Sequence, residues 1–156
     1  MASESPVEAW LAQAHPTPHM AARGWTRPGV VRLPCGWLFN VVRLREPLVH
    51  DAVGTTNPTT VTTTLAELLD GPVVHNRPFS TYHALVPVHF VIRWTEQYRE
   101  ARMLGEGSYV EVPSLDLRGP DGVYWAVPPR SPGHVCALEP IAALVESARR
   151  SSGQPR

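Results

Sequence analysis

The stretch from Leu104 to Pro129 reads LGEGSYVEVPSLDLRGPDGVYWAVPP. Tyr109, Val110, Glu111 and Val112 alternate with the two-residue period of a strand. Pro113, which has no amide hydrogen to give a ladder, stops it. Gly119-Pro120-Asp121-Gly122 is a strong turn sequence. Val123 to Val127 is β-branched and aromatic and halts at Pro128-Pro129, so it is expected to pair back as a strand. Two strands joined by a loop, with no helix between them, argue against the strand–helix alternation of a doubly wound sheet.

Helices flank this β-rich region. Leu138, Ile141, Leu144 and Val145 mark a final amphipathic helix, with Arg149 and Arg150 suited to the negative end of its dipole. The segment TTNPTTVTTTLAELLDG carries Val61, Leu65, Leu68 and Leu69 at helical spacing, and Gly71 stands at the expected end. Its threonines favour strand, but the periodicity predicts a helix over 60–70. Pro47 is expected to open a short helix through Val53. Ser5-Pro6, with Val7, Trp10, Leu11 and Ala14, predicts a capped first helix.

The remaining segments read as strands and loops. Residues 30–44 are β-rich, with a buried strand over 38–42. Val73-Val74 begins a strand and Arg77-Pro78 turns it. Residues 81–94 are strand-like, with Pro87 demanding an edge or a break. Residues 96–102 read as a helical turn or loop, and 15–28, with Pro16, Pro18, Gly24 and Pro28, as a loop or tether. The fold class expected is α+β: a small mixed, mostly antiparallel sheet flanked by helices. The organisation expected is an N-terminal helix and loop over 1–28, an α+β domain over 29–150 and a frayed tail over 151–156.

Composition sets limits on function. The chain has 156 residues, 43% hydrophobic and 18% charged, which is ordinary globular composition. A chain of this length buries roughly 70% of its unfolded surface. Formal net charge is zero, which gives no strong positive field for nucleic acid or membrane but leaves room for a local basic patch. All fourteen basic residues are Arg, a bias that GC-rich, bacterial-type coding explains. There is no basic leader, and no apolar run approaches the ~20 residues of a membrane span. The cytoplasm is expected by elimination, with Cys35 and Cys136 reduced.

Histidine invites a metal reading, which the spacing does not favour. Pro16 and Pro18 break the helix that would align His15 and His19. His83 and His89 are roughly 20 Å apart if extended. His50, His75 and His134 are isolated, and no HExxH or zinc-type Cys/His pair occurs. No metal site is expected. Cys35 or Cys136 as a nucleophile would need a base and an oxyanion hole that sequence adjacency does not show.

Three segments together resemble the primase–polymerase family, a branch of the archaeo-eukaryotic primase superfamily that includes bifunctional DNA primase/polymerase domains. The first is Leu104 to Pro129: a Gly-rich turn, a Tyr-Val strand, a Pro-Ser exit and an aromatic strand. The second is VRLPCGWLFNVVRL, Val31 to Leu44, which resembles the strand bearing that family's first catalytic motif. The third is Ser80-Thr81-Tyr82-His83, which resembles its small-x-His motif. The resemblance covers roughly residues 30 to 130 and implies a primase–polymerase or RRM-like core. It also implies that His83 contacts the phosphates of a nucleotide.

The same resemblance implies a loss of chemistry. Nucleotidyl transfer by that family uses two divalent metals held by acidic residues, two of them spaced by one on a strand so that both reach one face. The matching positions here are Asn40 and Val42. The third acidic position matches Arg102, a cation that would repel a metal. The expectation is therefore a catalytically degenerate domain with no catalytic residue assigned. It retains weak nucleotide or single-stranded nucleic-acid binding through Asn40, Arg77, His83 and Arg102. Arg23, Arg27, Arg32, Arg43, Arg45, Arg93 and Arg99, interleaved with Trp25, Trp37, Tyr82, Trp94 and Tyr98, would suit such a ligand.

Two alternatives remain. One is a protein-interaction or regulatory module that reuses the scaffold, its first helix detachable. The other is an active nucleotidyltransferase with relocated acids, Glu106 or Glu111, which would then need Mg²⁺ or Mn²⁺. The first reading requires no cofactor.

Overall fold

The structure, a computed structural model, describes residues 5–26, 29–88 and 91–151. Thirteen elements follow one another: α1 (Pro6–Ala12), α2 (Pro18–Gly24), β1 (Val30–Pro34), β2 (Asn40–Arg45), α3 (Glu46–Val53), α4 (Pro58–Leu69), β3 (Val73–Asn76), β4 (Thr81–Val86), α5 (Val91–Gln97), β5 (Ala101–Leu104), β6 (Tyr109–Pro113), β7 (Val123–Val127) and α6 (Leu138–Ser151). This is the α+β architecture expected. A five-stranded sheet runs in the order β5-β2-β4-β3-β7, and a two-stranded sheet pairs β1 with β6; each pairing is antiparallel.

The five-stranded sheet is the middle of three layers. On one face Val42, Leu44, Tyr82, Ala84 and Val86 pack beneath Val49 of α3, Val61, Leu65 and Leu69 of α4, and Ile141, Leu144 and Val145 of α6. On the other face Val41, Val74, Leu85 and Trp125 meet Leu33, Val110 and Val112 of the small sheet, with Leu11 of α1 and Ala21 of α2 behind. The central strand β4 is therefore buried along its whole length.

Local signals explain most elements. Ser5 and Asn57 cap α1 and α4, their side-chain oxygens accepting from Glu8 N at 3.3 Å and Thr60 N at 3.0 Å. The helix expected over 60–70 runs from Pro58 to Leu69, because Pro58 takes the first-turn position where its missing N–H costs nothing. The left-handed residue that ends α4 is Asp70, at φ 49°, and not Gly71. Gly71 answers a different need: a Cβ there would sit 2.6 Å from Cys136 Sγ and 2.7 Å from Cys136 Cα.

Three expectations in the sheet region are corrected. Val123–Val127 does not pair with the preceding strand but lies beside β3 at the edge of the large sheet. The nine residues between β6 and β7 carry the chain from one sheet to the other, and Trp125 holds the corner by donating Nε1–H to Pro113 O at 2.8 Å. The strand expected over 81–94 stops at Val86, before the donor-less Pro87, and Val91–Gln97 is helical. Residues 96–102 are not simply turn or loop, because Ala101–Leu104 is an edge strand of the five-stranded sheet, recruited by antiparallel pairing with β2.

The segment 15–28 is likewise more than a loop, since Pro18–Gly24 forms α2 with Ala21 buried. The first helix is not detachable in its packing, because Val7, Leu11 and Ala12 belong to the core. Arg27, His89 and the tail 152–156 lie outside the described residues. Among the described residues no helix is long and apolar enough to cross a membrane.

Candidate functional site

Where the two sheets diverge they leave a cleft of about 720 Å³. In an antiparallel sheet directly opposed residues point to the same side. Arg43 opposes His83 on one side and Arg102 on the other, and His83 opposes Val74. Arg43 and Arg45, two apart on β2, therefore aim into the cleft with Thr81 and His83, two apart on β4. Asn76 closes one end of this wall and Leu104 the other. The small sheet supplies the facing wall with Arg32, Tyr109 and Glu111.

The electrostatics favour an anion. Arg32, Arg43 and Arg45 are exposed, and Glu111 is the one carboxylate among the described residues lining the cleft. Asn76 Nδ2–H donates to Glu111 Oε1 at 3.0 Å, tying the two sheets together. Asn76 Oδ1 in turn accepts from Phe79 N at 3.2 Å, which fixes the turn presenting the Phe79 ring. Phe79 is 70% exposed and Tyr109 54%. The Arg32 guanidinium lies over the Tyr109 ring at 4.9 Å, so a flat cation-backed aromatic surface borders the arginines.

The floor is polar and unsatisfied. Thr81 and His83 are each only 8% exposed. Thr81 Oγ1 and His83 Nδ1 are buried without a hydrogen-bond partner. Buried polar atoms are paired in most proteins, and an orphan costs roughly 1–3 kcal/mol. These two atoms lie two residues apart on β4 at the bottom of a basic cleft. Burial first, and the Arg43 charge second, push the His83 imidazole down to about 4. It is neutral at physiological pH, offering one donor and one acceptor.

Of the four residues singled out from the sequence, the cleft contains His83 alone. Asn40 lies on the opposite, helix-covered side of β2, where it opposes Val86 and donates Nδ2–H to Met103 Sδ at 3.6 Å. It therefore does not share a site with His83. Arg77 sits on the β3–β4 turn and donates to Pro120 O at 2.9 Å. Arg102 faces the same side as Arg43 but lines a neighbouring cavity of about 630 Å³ with Thr95, Glu96, Arg99, Glu106 and Ser108. Asn76, Phe79, Thr81 and Tyr109 were not singled out. The i, i+2 pairs Arg43/Arg45 and Thr81/His83 carried the signal, once both segments are placed on adjacent strands.

Other chemistry-bearing groups are accounted for internally. His75 bridges Tyr124 Oη at its Nδ1 and Glu46 Oε2 at its Nε2, each at 2.7 Å, and stacks on Tyr82. Tyr124 donating to Nδ1 and Nε2–H donating to the carboxylate satisfies this network with a neutral ring, and burial holds the His75 pKa low. Burial pushes the Cys35 and Cys136 thiols up to about 12, so neither is a thiolate near neutrality. Among the described residues no group of three or more His, Cys, Asp or Glu gathers as a metal-ligand set. Glu106 and Glu111 line different cavities. The chain matches no family model, no curated protein and no solved structure in the three comparisons made.

Proposed function

We propose that this chain is a nucleotide- and single-stranded-nucleic-acid-binding domain of the primase–polymerase type that lacks the carboxylates of nucleotidyl transfer, and that it works in the cytoplasm. The observation that carries the proposal is the cleft itself: three exposed arginines and two exposed aromatic rings stand over the buried, unpartnered Thr81 Oγ1 and His83 Nδ1. A nucleotide offers the complement. Its phosphate suits the arginines, its base the flat rings, and its hydroxyl or phosphoryl oxygens the floor. The sequence motif Ser80-Thr81-Tyr82-His83 is what links His83 to the phosphate-contacting histidine of the family it resembles. A net charge of zero is no obstacle, because three arginines against one carboxylate give the cleft a local positive excess.

The alternative of relocated acids gains no support. Glu111 shares an oxygen with Asn76 and has no second carboxylate beside it in the cleft, whereas two-metal catalysis needs several anionic oxygens at one point.

Fluorescence anisotropy with a labelled single-stranded oligonucleotide, titrated across salt concentrations, tests the proposal. Binding should weaken linearly in log–log form as salt rises. Arg43→Ala with Arg45→Ala should weaken it about tenfold and lower the slope by about 1.4, the contribution of two phosphate contacts at roughly 0.7 each. Binding that ignores both salt and these arginines would sink the proposal.

A further inference from the structure

The cleft does not end at its own rim. By strand order it crosses the large sheet from Asn76 on β3, over β4 and β2, to Leu104 on β5. Three inter-strand spacings make this about 14 Å. At the β5 end, Ser108 lines both this cleft and the neighbouring cavity that contains Arg99 and Arg102. The two hollows, about 720 and 630 Å³, thus adjoin along the 105–108 turn.

A third exposed aromatic stands at that turn. Gly36, at φ 95°, packs so closely on Glu106 that an added Cβ would lie 2.5 Å from its backbone. Cys35 N donates to Ser108 O at 2.8 Å, locking the two turns together. Trp37 follows Gly36, whose backbone packs on Glu106 of the second cavity, and is 75% exposed, which no core requirement explains. Exposed rings thus line the first cleft, Phe79 and Tyr109, and a third, Trp37, follows the turn that packs on the second cavity.

Resting on the proposed nucleotide-binding reading, we infer that the cleft and the neighbouring cavity form one continuous groove for a strand of several nucleotides, entering at Phe79, crossing the Ser108 rim and leaving past Arg99 and Trp37. A mononucleotide would leave half of this surface unused. The second cavity also holds Glu96 and Glu106, which offset Arg99 and Arg102. Its contribution is thus chiefly stacking, and the gain it provides should depend little on salt, unlike binding in the first cleft.

The test compares the affinities of the intact chain for 5′-phosphorylated dT2 and dT8, read as a ratio by competition against a labelled strand. Eight nucleotides present seven overlapping dinucleotide registers, so length alone accounts for about sevenfold. One further stacked base is worth roughly five- to hundredfold. The expected ratio is above about 35, falling toward 7 in the Trp37→Ala, Arg99→Ala double variant, both being exposed positions. A wild-type ratio near 7 with clear dT2 binding overturns the continuous groove and leaves the cleft reading standing. A high ratio that the double variant does not change overturns the assigned path. Absence of binding by either strand overturns both.

Discussion

His83 stays uncharged at neutral pH because solvation is withheld from it and Arg43 lies alongside. The unfolded chain takes up this proton near the ordinary 6.5, while the folded chain resists until about 4. Between those values unfolding binds a proton, so stability falls as pH drops from 6.5 toward 4, by about 3 kcal/mol when complete. His75, also held low by burial, acts in the same direction. Urea denaturation at pH 7 and pH 4.5 should show this loss, and His83→Gln should flatten the slope between them. An unchanged slope would mean that the imidazole is solvated. The same residue shows what sequence alone conveys: the Thr81-x-His83 spacing predicts a shared face, but the unsatisfied state of both atoms is set by the small sheet opposite.

Among the elements, α4 starts at Pro58 behind a single side-chain cap, Asn57. Asn57→Ala should cost about 1 kcal/mol by removing the acceptor for Thr60 N, whereas Asn57→Gly should cost only a few tenths. Equal losses in denaturant midpoint for the two would show that this cap is not what holds the helix start. Elements with strong local periodicity or capping, α1, α4 and α6, were legible in the sequence. Those set by pairing were not. Ala101–Leu104 is four residues, too short for alternation to speak, and becomes a strand because β2 offers it a register. Val123–Val127 is unmistakably a strand, yet its partner is chosen by Trp125, which is packed with Val74 and Val110 between the sheets. The site divided in the same way. His83, reached from a motif, lines the cleft, whereas Asn40, matched on the same grounds, faces the helices. A one-residue difference in parity reverses the side of a strand, and resemblance across several segments does not fix parity.

At the scale of the whole molecule, three layers place the cleft floor on the strand with the deepest burial. Thr81 and His83 belong to β4, flanked by β2 and β3 and covered on both faces. The exposed rings and arginines sit on turns and outer positions around it. Amide hydrogen exchange should therefore find its slowest protons along residues 82–86, opening only with global unfolding. The turns at 77–80 and 105–108 should exchange fastest and slow most when a strand is bound. Early exchange within β4 would contradict this layering. A floor built on the most enclosed strand behaves as an anvil. Under the nucleotide-binding proposal the ligand, and not the floor, has to adapt, and the expected outcome is that a stiff duplex competes less well than a pliant single strand of the same length.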